Sequence, residues 1–567
     1  MRFSINGIEL EEFVPLVDGV PDATARMEVQ DEDDHTVLTV VLPRGGRIAS
    51  IGLRLTARGV RKYLRSGYTS WDGSVFVDPG ALSDGADPKL TSGYAMTALL
   101  PPEPGAVVLG FLRHDRFQSR LTFRAGAELG IDIETLVDQV PHDDEIRSEP
   151  LALFGGAEVE ATLRRWASLV AAASPAPPRV PPRRLTGWCS WYNLYSSLSE
   201  PVLREHLAAA RAFRDSSGAP FDIFLIDDGF TPEMGDWLEF KPAFPHGMRP
   251  LIEEIRAAGF MPGLWIAPFM VGNRSRLYTE HPDWVVQRRR NGAPLPAMTF
   301  YGEFRWHKRS EEYYVLDVTH PEAEAYIRMV FRTWRRDWGC DYFKTDFMHL
   351  GSMFGPDEAR WYEEGHSRIA VWMKMARLIR EEIGEDALWL CCGAPLLPPV
   401  GLCDAMRIGR DVGPKWSGDQ SAQALLRDQT TRNFMHGILW QADPDCILLR
   451  DRFHELSDDQ VDSLAWFAGL AGGVLMTSDH LGEVPRARRE LLAELAGDGR
   501  AFRCDFPALG DERVGVLVQR VTRPDGTIVL NVFNTTGQQM ERDVDGSRVM
   551  LPPYGSRRVI IPPHGGL

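Results

Sequence analysis

Apolar and polar positions change their rhythm three times along the 567 residues. In the first stretch they alternate one by one, in HTVLTVVLP (35–43), VVLGFLR (107–113) and LGIDIETLVD (129–138), with Gly and Pro between the runs. A period of two places one face of each run in a core and predicts strands, here a β-sandwich domain over 1–172 that ends in a short helix. The segment ASPAPPRVPPRR then reads as an extended, semi-rigid linker over 173–184. From 185 to 498 short apolar runs alternate with amphipathic helical stretches such as EPVLREHLAAARAF (200–213) and the region 362–382. Eight such runs stand out: LTGWCSW (185–191), DIFLID (222–227), MPGLWIAP (261–268), DYFKTD (341–346), LWLCCG (ending at 393), AMRIGRD (405–411), CILLR (446–450) and GVLMTSD (473–479). Eight strand–helix units in about 300 residues predict an α/β fold of the (β/α)₈ TIM-barrel type. An open doubly wound sheet is the rival, but the chain has no GxGxxG or P-loop to support one. After 499 the alternation returns. RVGVLVQRV (513–521) and TIVLNVFN (527–534) flank an Arg-Pro-Asp-Gly turn, which predicts a small C-terminal antiparallel β-domain over 499–567.

Composition narrows the partners. The net charge is -16, and the one short basic run is Arg288-Arg289-Arg290 beside Asn-Gly. A nucleic-acid partner needs a basic face, so neither nucleic acid nor an anionic membrane is expected. The start, MRFSINGIELEEFVPLV, has no basic region followed by an apolar one, so no secretory leader is expected. The longest apolar stretch, Leu464 to Met476, is too short to span a bilayer. Seven Cys are scattered, with no CxxC and no Cys/His pair at zinc spacing. Reduced thiols, a cytoplasmic address and no metal follow as expectations.

The chemistry is concentrated at the ends of the predicted strands, where barrel enzymes build their sites. Strand two ends in Asp227-Asp228-Gly229, strand four in Lys344-Thr345-Asp346, strand six in Arg407-Ile408-Gly409-Arg410-Asp411 and strand eight in Ser478-Asp479. Any one such Asp is as readily a helix cap as a site residue. Four on one rim, with Lys344 and Arg407 among them, fit a pair of carboxylates that work on a glycosidic bond from opposite sides. Trp188, Trp191 and Trp265 lie at or near strand ends and offer flat faces to a sugar ring. Asp479 reads as a structural group.

These motifs resemble clan D glycoside hydrolases, specifically the microbial melibiase group of family thirty-six. The resemblance rests on GWCSWYNLYSSLSE (187–200), FLIDDGFTPEMGDWL (224–238), GLWIAPF (263–269), DYFKTDF (341–347), CCGAPLLPPVGLCDAMRIGRDVGPKW (391–416), LWQADPDCILLR (439–450) and AGGVLMTSD (471–479), in family order over the whole barrel. It implies a retaining, exo-acting α-galactosidase of the melibiose or raffinose type. Asp346 is then the nucleophile and Asp411 the acid/base. Asp227 and Asp228 hold the axial O4 and the O6 of galactose, Lys344 and Arg407 donate to ring hydroxyls, Trp265 walls the pocket, and Trp71 of SGYTSWDGS is lent by the N-terminal domain. Trp191 is a further substrate-binding candidate. The implied partner is a small carbohydrate, with no cofactor; the oligomeric state is not legible. The alternatives are a related α-glycosidase such as an α-N-acetylgalactosaminidase, a galactosyl transglycosylase, or a silent carbohydrate-binding protein. Two features depart from the family pattern. Phe230 follows the acidic pair where relatives often carry Trp or Tyr, and the insert 273–317 follows strand three.

Overall fold

β-Branched and aromatic residues on alternating positions give the first part of the chain its strands. In the computed structural model, which describes residues 1–83, 85–299, 310–452, 454–497, 499–510, 515–523, 525–544 and 546–562, they form two antiparallel sheets. One is centred on Ser50–Arg58, Leu129–Leu136 and Gln118–Arg124, the other on Thr36–Leu42, Leu151–Gly156, Ala106–Phe111 and Met96–Leu100. Between them lie Leu53, Leu55, Ile131, Ile133, Leu109 and Leu153, all buried. The helix Val159–Ala173 follows and packs Leu163, Trp166 and Val170 inward.

All strands of the central sheet are parallel, and each is short and buried on both faces. That is why they read as continuous apolar runs rather than as alternation. In order they are Thr186–Cys189, Ile223–Ile226, Met261–Ile266, Tyr342–Thr345, Leu388–Cys391, Ala405–Arg407, a seventh in two pieces, and Leu475–Thr477. Strand eight pairs with strand one, with Thr186 opposite Leu475. The seventh strand splits into Gln441–Asp443 and Cys446–Ile447. Pro444 has no N–H for the ladder, and Asp445 has φ +82°, so the chain steps sideways between the pieces. The Val474 N–H to Ala442 carbonyl bond, 2.9 Å, closes the barrel across that step. Strand seven therefore starts earlier than the expected run 446–450.

Helices follow most strands: Glu200–Ser217, Arg249–Ala257, Pro321–Arg332, Arg368–Ile383, Ala422–Arg432, Asp458–Leu470 and Arg486–Ala496. Strand five is the exception, since 392–404 forms turns. The sandwich occupies that place. Leu64, Tyr94 and Trp166 share a small cavity with Leu396 and Leu397, and Leu396 N–H donates to the Tyr68 carbonyl at 3.0 Å. The insert after strand three adds the strands Pro296–Thr299 and Glu312–Val315, joined with Met270–Gly272 just before it in one antiparallel sheet. Its residues 300–309 lie outside the described ones, as do Arg513 of the RVGVLVQRV run and Pro524 of the Arg-Pro-Asp-Gly turn. The C-terminal sheet runs Cys504–Asp505, Val516–Thr522, Ile528–Asn534, Ser556–Ile561, beside the hairpin Met540–Val544 and Ser547–Leu551. Among the described residues no helix is long and apolar enough to cross a membrane. All seven cysteines are buried and unbridged.

Candidate active site

The C-terminal ends of the barrel strands surround a cavity of about 460 Å³. Its wall includes Asp227, Asp228, Trp265, Lys344, Asp346 and Asp411, together with Trp191 and Trp71. Eight of the nine residues singled out from the sequence thus meet in one place. Arg407 is the ninth. Its guanidinium is 1% exposed and lies behind the wall, where it donates to Asp411 at 2.8 Å and also to Asp445. A contact of Arg407 with a ring hydroxyl is therefore replaced by a contact with the carboxylate beside the cavity. The cause is its place at the last position of strand six, which turns the side chain into the barrel.

Asp346 follows strand four directly, and its N–H still bonds the Ile266 carbonyl of strand three at 2.8 Å. Its two oxygens are each fixed by a donor. Phe347 N–H reaches Oδ1 at 2.7 Å, and Trp265 Nε1–H reaches Oδ2 at 3.2 Å. Phe347 adopts φ +51°, which brings its N–H round to the carboxylate. Burial pushes the Asp346 carboxyl up from its ordinary range; Lys344 opposes the rise, and Asp411 adds to it.

Lys344, two residues earlier on the same face, bonds Asp227 Oδ2 at 2.7 Å in a pair almost wholly removed from water. Burial works against the ammonium, but Asp227 first, then Cys189, Cys392 and Asp346 outweigh it and hold Lys344 charged well above its ordinary range. Asp227 Oδ1 caps the Asp228 N–H at 2.9 Å, and Ser190 Oγ accepts from the Asp227 N–H at 2.8 Å. The acidic pair is thus clamped at the end of strand two, and Asp228 does not cap the next helix, which starts at Arg249.

Asp411 is the open carboxylate, with its side chain 31% exposed. It sits on the loop after strand six, and the same loop brings Arg410, Asp419 and Gln420 to the cavity. Trp71 arrives from the sandwich. Its loop is held by Ser70 Oγ, which accepts from Gly393 N–H at 3.1 Å, and by Arg432, which donates to Ser74 Oγ at 2.9 Å and to the carbonyls of Ser70, Asp72 and Ile408. Arg432 thereby ties the Trp71 loop to the end of strand six. The Trp71 ring meets Phe347 edge-on at 5.1 Å.

Other sequence readings fall outside the cavity. Trp188 is core, stacked on Phe224 at 4.4 Å. Phe230 is buried against Trp334. Asp479 is 1% exposed and accepts from Leu449 and Arg450 N–H, the structural role read for it. Tyr192, Phe347 and Asp445 were not singled out. The first two follow site residues directly in the chain, the one signal that pointed to them; Asp445 was hidden by the misplaced strand seven. Among the described residues no group of three or more His, Cys, Asp or Glu is arranged to hold a metal ion.

Residues 206–378 match the melibiase family model. An α-galactosidase of Escherichia coli is 29% identical over 130 residues, and α-galactosidase 2 of Pediococcus pentosaceus is 38% identical over 105 residues. These matches cover 22% and 17% of the chain, and only 16% and 14% of the relatives' own lengths. Solved structures extend the likeness over the whole fold. An α-galactosidase from Thermus thermophilus, in complex with p-nitrophenyl α-D-galactopyranoside, is 25% identical with a TM-score of 0.68 over 92% of this chain and 97% of its own. An α-galactosidase from Geobacillus stearothermophilus shares the fold at 12% identity, with a TM-score of 0.61 over 99% of this chain and 88% of its own. The chain is thus similar to the melibiase family of glycoside hydrolases, in sequence over residues 206–378 and in fold over nearly its whole length.

Proposed function

We propose that the protein is a retaining, exo-acting α-galactosidase that removes terminal α-linked galactose from small oligosaccharides. The observation that carries this reading is the pairing of Asp346 and Asp411 on one cavity with the clamped acidic pair Asp227-Asp228. Asp346 is buried, fixed at both oxygens and beside a permanent cation, which suits a nucleophile that must attack along one line. Asp411 is the more open carboxylate and can meet the leaving oxygen and later the water. Attack by Asp346 on C1 forms the glycosyl-enzyme and breaks the bond to the leaving oxygen, which takes a proton from Asp411. Water then gives a proton to Asp411 and its oxygen to C1 as the C1–Asp346 bond breaks, which frees galactose with its configuration retained and returns Asp346 as the carboxylate.

Asp227 and Asp228 supply acceptors for sugar hydroxyls, and Lys344 locks Asp227 in place while offering its remaining N–H groups. A site built to bond an axial hydroxyl strongly rejects the sugar that lacks it. Trp71, Trp191 and Trp265 provide apolar faces, and a cavity of about 460 Å³ suits one terminal sugar and the start of the next group. The unbridged cysteines fit a reducing, cytoplasmic setting.

The test is a panel of nitrophenyl α- and β-glycosides that includes α-galactoside, α-N-acetylgalactosaminide and α-glucoside, with the first-formed sugar anomer read by NMR. Release from the α-galactoside with α-galactose as first product is expected. Silence on that substrate would reject the sugar assignment, and β-galactose as first product would reject the double displacement.

A further inference from the structure

The split seventh strand places a carboxylate that the sequence motifs do not explain. Asp445 follows Pro444 with φ +82°, a left-handed backbone that few residues with a side chain adopt. Its side chain is 4% exposed and does not line the cavity. Both oxygens are nonetheless fully used. Oδ1 accepts from Cys446 N–H at 2.7 Å. Oδ2 accepts from three donors: Val412 N–H at 2.8 Å, the Tyr192 hydroxyl, and Arg407 Nη2. Arg407 and Val412 lie on either side of Asp411 in the chain, and the same Nη2 of Arg407 donates to Asp411 Oδ1 at 2.8 Å. One oxygen atom therefore grips the Asp411 segment before and after the residue.

We propose that Asp445 is a positioning residue for Asp411, aiming its carboxyl at the leaving oxygen through Arg407 and the Val412 N–H. The proposal rests on the reading of Asp411 as the acid/base. A carboxylate on a loop, one-third exposed, has several rotamers open to it. Proton transfer needs one of them, within hydrogen-bond reach of the oxygen that departs. Arg407 can select that rotamer only if its own guanidinium is fixed, and Asp445 is its other anionic anchor. The sideways step in the chain at Pro444-Asp445 leaves the carboxylate within reach of Arg407 at the end of strand six and of the Val412 N–H on the loop after it.

The experiment compares kcat/KM on melibiose, whose leaving group needs a proton, with kcat/KM on a dinitrophenyl α-galactoside, whose leaving group does not. Asp445→Asn is the variant, because Asn tolerates the left-handed backbone while the charge is lost. The expected loss is roughly thirtyfold or more on melibiose and under about threefold on the dinitrophenyl substrate, within the range that general acid catalysis contributes. In an Asp411→Ala background the substitution should add no further difference between the two substrates. Equal losses on both substrates would make Asp445 a structural residue only, and the same differential loss with or without Asp411 would show that it acts elsewhere. If Asp411→Ala alone shows no leaving-group dependence, the acid assignment itself fails and takes the proposal with it. Tyr192→Phe removes one donor from the same oxygen and leaves the charge, so it serves if Asp445→Asn does not fold. A smaller loss biased toward melibiose supports the proposal, and an unbiased loss overturns it.

Discussion

At the scale of single residues the site is a problem of charge kept out of water. Asp346 must be ionised to attack, yet burial favours its neutral form, and Asp411 nearby does the same. The opposing force is Lys344, which is itself held charged by Asp227. The sign follows from this balance. Without the ammonium the Asp346 carboxyl titrates at higher pH, so a larger share of the protein carries it protonated and idle. Lys344→Met should therefore move the acid limb of the kcat/KM profile toward higher pH, in addition to lowering its maximum by about 100-fold through the loss of a buried charged hydrogen bond and the unpaired Asp227 that remains. The profile on a nitrophenyl α-galactoside from about pH 4 to pH 8 checks it. An acid limb that stays in place would mean that Lys344 does not set the charge on Asp346.

At the scale of elements the position of each carboxylate depends on how a strand ends. Asp227 and Asp346 were legible because each directly follows a short barrel strand, whereas Asp411 stands four residues beyond the end of strand six and was legible through the RIGRD motif. Strand seven was not legible in the same way. CILLR looks like a strand by composition, but Pro444 and Asp445 interrupt the pairing, and only Cys446–Ile447 remains of that run. Arg407 was legible as a site residue and not as a buried one, since its direction depends on where strand six stops. The loop after that strand carries a further dependence that no local pattern shows. Trp416 leaves the barrel and meets the Tyr554 ring edge-on at 4.6 Å and Phe533 at 6.3 Å, both in the C-terminal part. That contact pins the loop whose two ends are Asp411 and the Ser421 cap of the helix Ala422–Arg432. Trp416→Ala should leave the barrel folded and lower kcat/KM on melibiose by roughly tenfold, with the cost of a lost aromatic anchor at a partly exposed site as the guide. A variant with wild-type activity would show that the loop holds its shape without the C-terminal sheet.

At the scale of the whole molecule the barrel is incomplete without its flanking sheets. The sandwich fills the place of the helix missing after strand five and delivers Trp71, and both depend on contacts between residues more than 300 positions apart. A motif such as SGYTSWDGS could suggest the tryptophan, but the gap it serves is visible only in three dimensions. The C-terminal part is joined to the same assembly through Glu160, in the first turn of the helix Val159–Ala173, whose Oε2 accepts from Phe506 N–H. Burial pushes this carboxyl up to about 7; the Phe506 N–H opposes the rise, Asp505 adds to it, and Arg164 and Arg503 oppose it. The ordinary value is 4.5, so between 4.5 and about 7 the folded protein holds a proton that the unfolded chain has released. The folded state binds more protons there, so the contribution of this group is fully present below 4.5 and is lost as the pH rises through about 7. Glu160→Gln keeps an acceptor for Phe506 N–H and removes the charge. Its melting temperature should fall less than that of the natural protein between about pH 5 and pH 8, and the two curves should converge toward the acid end. Parallel curves across that range would mean that Glu160 is ionised in the folded protein at all these pH values. The contact between the helix and the C-terminal sheet would then rest on its charge rather than on its proton.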